Sequence, residues 1–481
     1  MIAILTVGAT AAQEGSNQQV QNQLVAKAEA TLRRAASFFR ETISVRGSYV
    51  WAVSPDLSFR RGEAKTTPTQ GWVQPPGTPS VGLAYVKAFQ ATGDPYYLEA
   101  AVDAARALAA TQLVSGGWHA AIEFDEERKQ IWCYRALSET CDKTGPRKDN
   151  RYRNASYIDD DITQSAIRLL ILVDSLVHGS DSLIGESVHY GLQKLIDTQY
   201  PNGAWPIRFD QRVSEQDIEA RIGAKGRYPD AWSREFTDVP SPEFFVLNDH
   251  VLASMIRTLL LAHRHYGDGR YLQSAMRAGD FLLAAQMPEP QPAWSQVYNS
   301  SMEPIWGRKF EPPSVASWET ASTIQVLLDL HAYTGQQRYL DAIEPAANWL
   351  EASKIGEGLW ARFYELETNT PLYMTTEYQL TYKADDLPRH YGFQGRFDIP
   401  ETLTAYRKMR DLTDRRGPAN RGPSTDISDE VQMIVAALDS EGRWLEDNMI
   451  LSQVFVDNVD TLSLFIAAAK GRQIVVEELF R

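Results

Sequence analysis

The sequence predicts an all-α fold, an (α/α) toroid or barrel of about six helical hairpins, with long loops and short β-ribbons on one face. Three observations point there. An aliphatic helical run repeatedly ends in a short turn that delivers a tryptophan, at Trp51, Trp118, Trp205, Trp294 and Trp360, with a weaker copy at Trp444. Turns such as Thr92-Gly93-Asp94-Pro95, Gly267-Asp268-Gly269-Arg270 and Thr334-Gly335-Gln336-Gln337 close one helix and open the next. The helices between these marks alternate in character.

Segments 80–89, 162–177, 251–265 and 320–333 carry Leu, Ile, Val and Ala on nearly every face, the pattern of helices with neighbours all round, and are assigned to an inner ring. The helices that end near the tryptophans carry more Glu, Arg, Lys and Gln and are assigned to an outer ring. Their ends repeat: Leu108 to Gln112 precedes Gly116-Gly117-Trp118, Leu195 to Gln199 precedes Asn202-Gly203-Ala204-Trp205, and Leu282 to Gln286 precedes Ala293-Trp294. Because the repeat runs from about residue 22 to 470, residues 21–481 are expected to form one catalytic domain, with 394–481 as its closing repeat.

Bulk composition limits the function. Sixty-two acidic against 48 basic residues give a net charge of −14, which disfavours nucleic acid and anionic membrane surfaces as partners. An acidic substrate then needs a local cationic patch or a bound cation. Residues 1–20 read as a leader: the first twelve are apolar and end in Ala9-Thr10-Ala11, but they lack a basic start, as in a signal peptide with its front end clipped. A secreted or periplasmic monomer is therefore expected. No other apolar stretch approaches the ~20 residues a membrane helix needs. Cys133 and Cys141 could pair and staple a polar loop, and no second cysteine or histidine pair suggests zinc.

In this topology each tryptophan turn feeds a loop that enters the next inner helix, so candidate chemistry is sought at inner-helix starts. These are unusually polar: Tyr157 to Thr163 contains Asp159, Asp160 and Asp161, Phe245 to His250 contains Asn248 and Asp249, and Glu319 follows Pro312-Pro313-Ser314. N-capping accounts for single acidic residues there. Three consecutive aspartates exceed one cap. With Asp249 they could hold a hard cation or act as a carboxylate pair. The loop Trp306-Gly307-Arg308-Lys309-Phe310-Glu311 offers two adjacent cations, Ala361-Arg362-Phe363-Tyr364 one arginine among aromatics, and Trp205-Pro206-Ile207-Arg208-Phe209 a further aromatic and arginine lip. The bland alternatives are a surface basic pair, a structural ion pair in a β-ribbon, and turn packing. His119, His250, His265 and His390 lack metal-ligand spacing.

The strings Gln199-Tyr200-Pro201-Asn202-Gly203-Ala204-Trp205-Pro206, Asn248-Asp249, Arg308-Lys309-Phe310-Glu311-Pro312-Pro313-Ser314 and Leu359-Trp360-Ala361-Arg362-Phe363-Tyr364-Glu365-Leu366-Glu367-Thr368-Asn369 resemble the pectate lyases of polysaccharide lyase family ten. The resemblance runs in order over residues 157–393. It implies an (α/α) toroid that cleaves polygalacturonate by β-elimination with calcium, with Asp159 and Asp249 as the family's two aspartates. By the same correspondence Arg308 matches the proposed base and Arg362 the arginine that contacts substrate. The chain departs from the family at Asp159-Asp160-Asp161-Ile162-Thr163, where Asp-Asn-Gly-Ala-Thr is usual, and at Thr375-Thr376-Glu377, where a second arginine is usual.

The residue types fit elimination. A C5 proton of a uronate becomes removable once its carboxylate is neutralised, so a cation held by Asp249, Asp159 and Asp160 would stabilise the developing charge. Arg362 would orient the carboxylate and Arg308 take the proton. Arginine has a pKa above ~12, so this requires a strongly cationic, desolvated setting; Lys309 is the fallback base. Lys309, Trp205 and Arg208 are the remaining expected substrate contacts. Two rivals stand beside this reading. One is a glycoside hydrolase using Asp159 or Asp161 with Asp249 or Glu319; the other is an inactive carbohydrate-binding homologue. A terpene cyclase is disfavoured, since the aspartates lack the Asp-x-Asp-Asp order.

Overall fold

The repeated tryptophan is a bolt between a turn and the helix before it. The indole N–H of Trp118 donates to Leu108 O at 2.9 Å, Trp205 to Leu195 O at 2.7 Å, Trp294 to Leu282 O at 2.7 Å, Trp360 to Leu350 O at 2.7 Å and Trp444 to Ile434 O at 3.0 Å. All five side chains are buried. Each bond engages a carbonyl near a helix C-terminus, where the intrahelical N–H donors run out; Leu108 O and Leu350 O accept in addition from Thr111 N and Ser353 N. The repeated glutamine completes the device: Gln112, Gln199 and Gln286 each donate to a carbonyl of their own turn and to one of a second helix, Ser187, Ser274 or Ala342. Trp444, the weakest copy in sequence, is thus a full member. Trp51 differs, being half-buried and donating to Gln74 O.

The computed structural model describes residues 4–140, 153–210, 223–237, 244–414 and 427–474. Among these are twelve α-helices: α1 (Ile4–Phe38), α2 (Thr78–Thr92), α3 (Pro95–Ala110), α4 (Ile162–Leu176), α5 (Ser182–Thr198) and α6 (Val251–Tyr266). The rest are α7 (Gly269–Ala285), α8 (Ser317–Thr334), α9 (Gln337–Ala352), α10 (Ile399–Asp414), α11 (Ser428–Ala437) and α12 (Ser452–Lys470). The fold class is all-α, built of (α/α) hairpins with short strands in the connections. Residues 1–154, 165–189 and 422–481 make up one compact unit, and residues 155–164 and 190–421 a second.

The hairpin turns follow the expected chemistry. Gly93, Gly267 and Gly335 end α2, α6 and α8 with positive φ of 76°, 68° and 69°. Asp94 and Asp268 then cap α3 and α7 by accepting from Tyr96 N and Arg270 N. The helices read as inner are enclosed on nearly every face: in α4 every residue from 162 to 174 is buried.

A strand just after a tryptophan pairs antiparallel with the strand that leads into the same hairpin's inner helix. Ala121–Glu123 pairs with Gln70–Trp72, Arg208–Phe209 with Ser156–Tyr157, Val297–Asn299 with Phe244–Val246, and Phe363–Tyr364 with Val315–Ala316. In the first unit the chain ends join by the same rule. Ala52–Val53, following Trp51, pairs with Met449–Leu451, which leads into α12, and α12 packs on α1. That junction pairs α12 with α1.

Helix α1 runs without a break through the stretch read as a leader. Cys133 is buried and disulfide-bonded; Cys141 lies outside the described residues. Among the described residues no helix is long and apolar enough to cross a membrane.

Candidate active site

All the expected site residues lie in the second unit. Two inner helices there begin with the same irregular turn. Asp159-Asp160-Asp161 precedes α4 and Asn248-Asp249-His250 precedes α6, so Asp159 stands where Asn248 does and Asp160 where Asp249 does. In each turn the last two residues are left-handed, with φ of 49° and 59° at Asp160 and Asp161 and 51° and 58° at Asp249 and His250. Non-glycine residues adopt this conformation at a cost of roughly 1 kcal/mol each, least for Asp and Asn. The turns are held from outside, since Ile158 N donates to Ile207 O at 3.0 Å and Leu247 N to Gln296 O at 2.9 Å. A tryptophan-turn ribbon thus fixes each aspartate.

The result is a cluster of carboxylates. Oxygens of Asp159, Asp160 and Asp249 all lie within 4.8 Å of one another. Oxygen ligands sit ~2.3–2.6 Å from calcium, so donors on opposite sides of one ion are separated by about this much, and the all-oxygen set suits a hard cation. Burial, then the charges of Asp160 and Asp249, push the Asp159 carboxyl up to about 7, with Arg308 acting the other way. Burial also raises Asp249, against Arg308 and Arg362. Such mutual repulsion is relieved either by a proton or by a cation.

The arginine loop stands beside this cluster. Gly307 lets it fold back, because a Cβ there would meet Glu311 Oε2 at 2.7 Å. Arg308 donates from its backbone N–H to Glu311 Oε2 at 2.7 Å and from Nε to Oε1 at 2.9 Å, and Nη2 completes the ion pair at 2.5 Å. The Tyr391 hydroxyl donates to the same Oε1 at 2.8 Å. Glu311 itself is 3% exposed, whereas the Arg308 side chain is half exposed. Burial works to lower the Arg308 pKa, but the hydrogen bond and charge of Glu311, with Tyr391 and Asp249, outweigh it and raise the value. An anionic partner thus keeps this guanidinium charged, the opposite of the cationic setting that a proton-accepting Arg308 requires.

Arg362 occupies the interior of the same site. It is 2% exposed, pairs with buried Glu319 at 3.0 Å, donates to Asn248 Oδ1 at 3.2 Å, and lies 4.4 Å and 4.3 Å from the ring centres of Trp318 and Tyr391. A substrate contact was expected of it; here its charge faces protein groups on several sides. Glu319, paired with Arg362 and fully inside, is equally poorly placed as a free acid or base. Trp205 offers no stacking face, being 3% exposed and bolted to Leu195. Arg208 stands in strand register with Tyr157, two residues before Asp159. Lys309 is exposed with Nζ 3.9 Å from the Tyr378 ring centre. Asp161 accepts from the Ser254 hydroxyl. At the position of the usual second arginine, Thr376 donates its hydroxyl to Asp386 at 2.9 Å.

The reading from sequence missed Tyr391 and Trp318 altogether and quoted Glu311 without a role. Glu311 three residues after Arg308 was a usable signal. Tyr391 arrives from 80 residues along the chain with no motif to mark it.

No protein-family model matches the chain, and none of the curated proteins matches it. Among solved structures, a family 10 polysaccharide lyase from Cellvibrio cellulosa is similar at 16% identity and a TM-score of 0.45, over 69% of this chain and 97% of that one. A family 76 glycoside hydrolase (mannosidase) from Bacteroides thetaiotaomicron is similar at 11% identity and TM-score 0.46, over 94% of this chain and 100% of that one. A D-mannose isomerase is similar at 11% identity and TM-score 0.45, over 92% and 97%. At these values the likenesses assign neither a family nor a chemistry to this chain.

Proposed function

We propose that the protein is a carbohydrate-active enzyme that cleaves polygalacturonate or a related uronate polymer by cation-assisted β-elimination. The observation that carries this reading is the meeting of three carboxylates within 4.8 Å of one another with Arg308, whose charge acts on both Asp159 and Asp249. Asp159, Asp160 and Asp249 would hold the cation, and Ca2+ fits their all-oxygen chemistry. When bound, it would supply positive charge that neutralises the substrate carboxylate and so acidifies the C5 proton.

The chain's own residues account for the remaining needs. Arg308, half exposed beside the cluster, has donors to spare for a uronate carboxylate or a departing glycosidic oxygen. To accept the C5 proton instead, it must first become neutral. Neutralising the Asp249 charge removes one cause of its raised pKa, while Glu311 continues to oppose the change. Lys309, exposed two residues from Glu311, is the second candidate acceptor. Buried Arg362 sets the field around Asp249 rather than gripping sugar directly.

Hydrolysis is the second reading, favoured by the Asp159 carboxyl at about 7, a value suited to a general acid. Asp159 or Asp161 would then share the acid and base roles with Asp249 or Glu319, and the products formed distinguish the two readings. Incubation with polygalacturonate in Ca2+ should yield unsaturated, ultraviolet-absorbing ends, and chelator should abolish them. New reducing ends without ultraviolet absorbance would replace elimination by hydrolysis.

A further inference from the structure

The half-buried Asp249 is connected to the buried ion pair by an unbroken chain of hydrogen bonds. Glu319 Oε1 accepts from Arg362 Nη2 at 3.0 Å, the same Nη2 donates to Asn248 Oδ1 at 3.2 Å, and Asn248 Nδ2 donates to Asp249 Oδ2 at 2.6 Å. Glu319, Arg362 and Asn248 are 3%, 2% and 7% exposed. The order of the chain is set by chemistry. Guanidinium can only donate and an ionised carboxylate can only accept, so an asparagine between them has one orientation that satisfies both. Turning the amide over would set N–H against N–H and oxygen against oxygen.

Two further features mark the chain as built for placement. Among the described residues Arg362 Nε and Glu319 Oε2 have no hydrogen-bond partner, so the buried pair is incompletely satisfied and is a poor source of stability. The Arg362 guanidinium is gripped by the Trp318 and Tyr391 rings and cannot swing without displacing them. Asp249 Oδ2 is thus tied down through Asn248, whereas Oδ1 has no hydrogen bond among the described residues. The equivalent turn differs: Asp159 stands at the Asn248 position, so the two halves of the cluster are not interchangeable.

We propose that Asn248, held by Arg362 and Glu319, is a positioning residue that locks one oxygen of Asp249 and presents the other to the cation. This rests on the cation reading of the cluster. Groups that orient a ligand in this way typically contribute 10–100-fold to metal affinity. The protein carrying Asn248→Leu should bind Ca2+ about tenfold more weakly by titration calorimetry. Its cation-free unfolding midpoint should stay within a few degrees of the parent, which a purely structural role would not allow. Glu319→Gln, which keeps the side-chain volume and an acceptor for Arg362, guards against a misfolded Leu variant and should weaken binding severalfold. If the parent binds Ca2+ and both variants bind it within twofold, the positioning role is overturned and the cation reading stands. If the parent itself takes up no Ca2+, both are overturned.

Discussion

Asp159 concentrates the chemistry of this protein in one side chain. Its carboxyl is pushed up to about 7 by burial and by Asp160 and Asp249, far above the ~3.9 of an unfolded chain. A carboxyl raised on folding favours the native state while protonated. That contribution is complete below about pH 4 and is lost as pH rises through about 7. Cation-free protein should therefore lose stability over this window, on the order of 2 kcal/mol after discounting for solvent screening and relaxation. Asp159→Asn should flatten the trend in a thermal unfolding series against pH, and an unchanged slope would remove the like-charge cluster. Asp159 and Asp249 were legible as polar excess at helix starts. The left-handed backbone at Asp160 and Asp249 was not, because it is imposed by ribbons that return after Trp205 and Trp294. Nor was the resting state of Arg308: sequence showed two adjacent cations, while folding turned Glu311 back onto one of them.

At the scale of elements, the tryptophan turn is what the sequence displayed most openly. Its spacing predicted hairpins, and the structure gives the reason for the spacing: an indole reaches a carbonyl ten residues back, or twelve for Trp294. Ranking the copies by similarity misjudged the two ends. Trp444 makes the shared bond and Trp51 does not, because what matters is the helix carbonyl within reach of the indole N–H rather than the local string. Trp444→Phe removes a buried donor and strands Ile434 O, which should cost about 1–3 kcal/mol in urea unfolding. Trp51→Phe, half-buried, should cost less than about 1 kcal/mol. Equal losses would mean that the rings matter by volume alone. The strand pairings that follow each tryptophan were expected only as ribbons, since two or three residues carry too little alternation to set a register.

At the scale of the whole molecule, cations and carboxylates of the candidate site are gathered in one of its two units. A chain with net charge −14 places Arg308, Lys309 and Arg362 within one unit, around carboxylates that a cation would neutralise. The alternation of buried and more polar helices was legible among the described residues because burial dictates composition helix by helix. The site was legible only as separate strings, since its geometry is set by contacts between segments as distant as Asn248 and Arg362, 114 residues apart. A secreted location remains a proposal from the apolar start of the chain. The most direct test is diffraction from crystals of the Arg308→Ala variant soaked with Ca2+ and an oligogalacturonate. The account predicts one ion among Asp159, Asp160 and Asp249, with a uronate carboxylate against it and the sugar's C5 facing the vacated Arg308 position. A sugar bound elsewhere, or a carboxylate cluster that takes up no ion in saturating Ca2+, would contradict it.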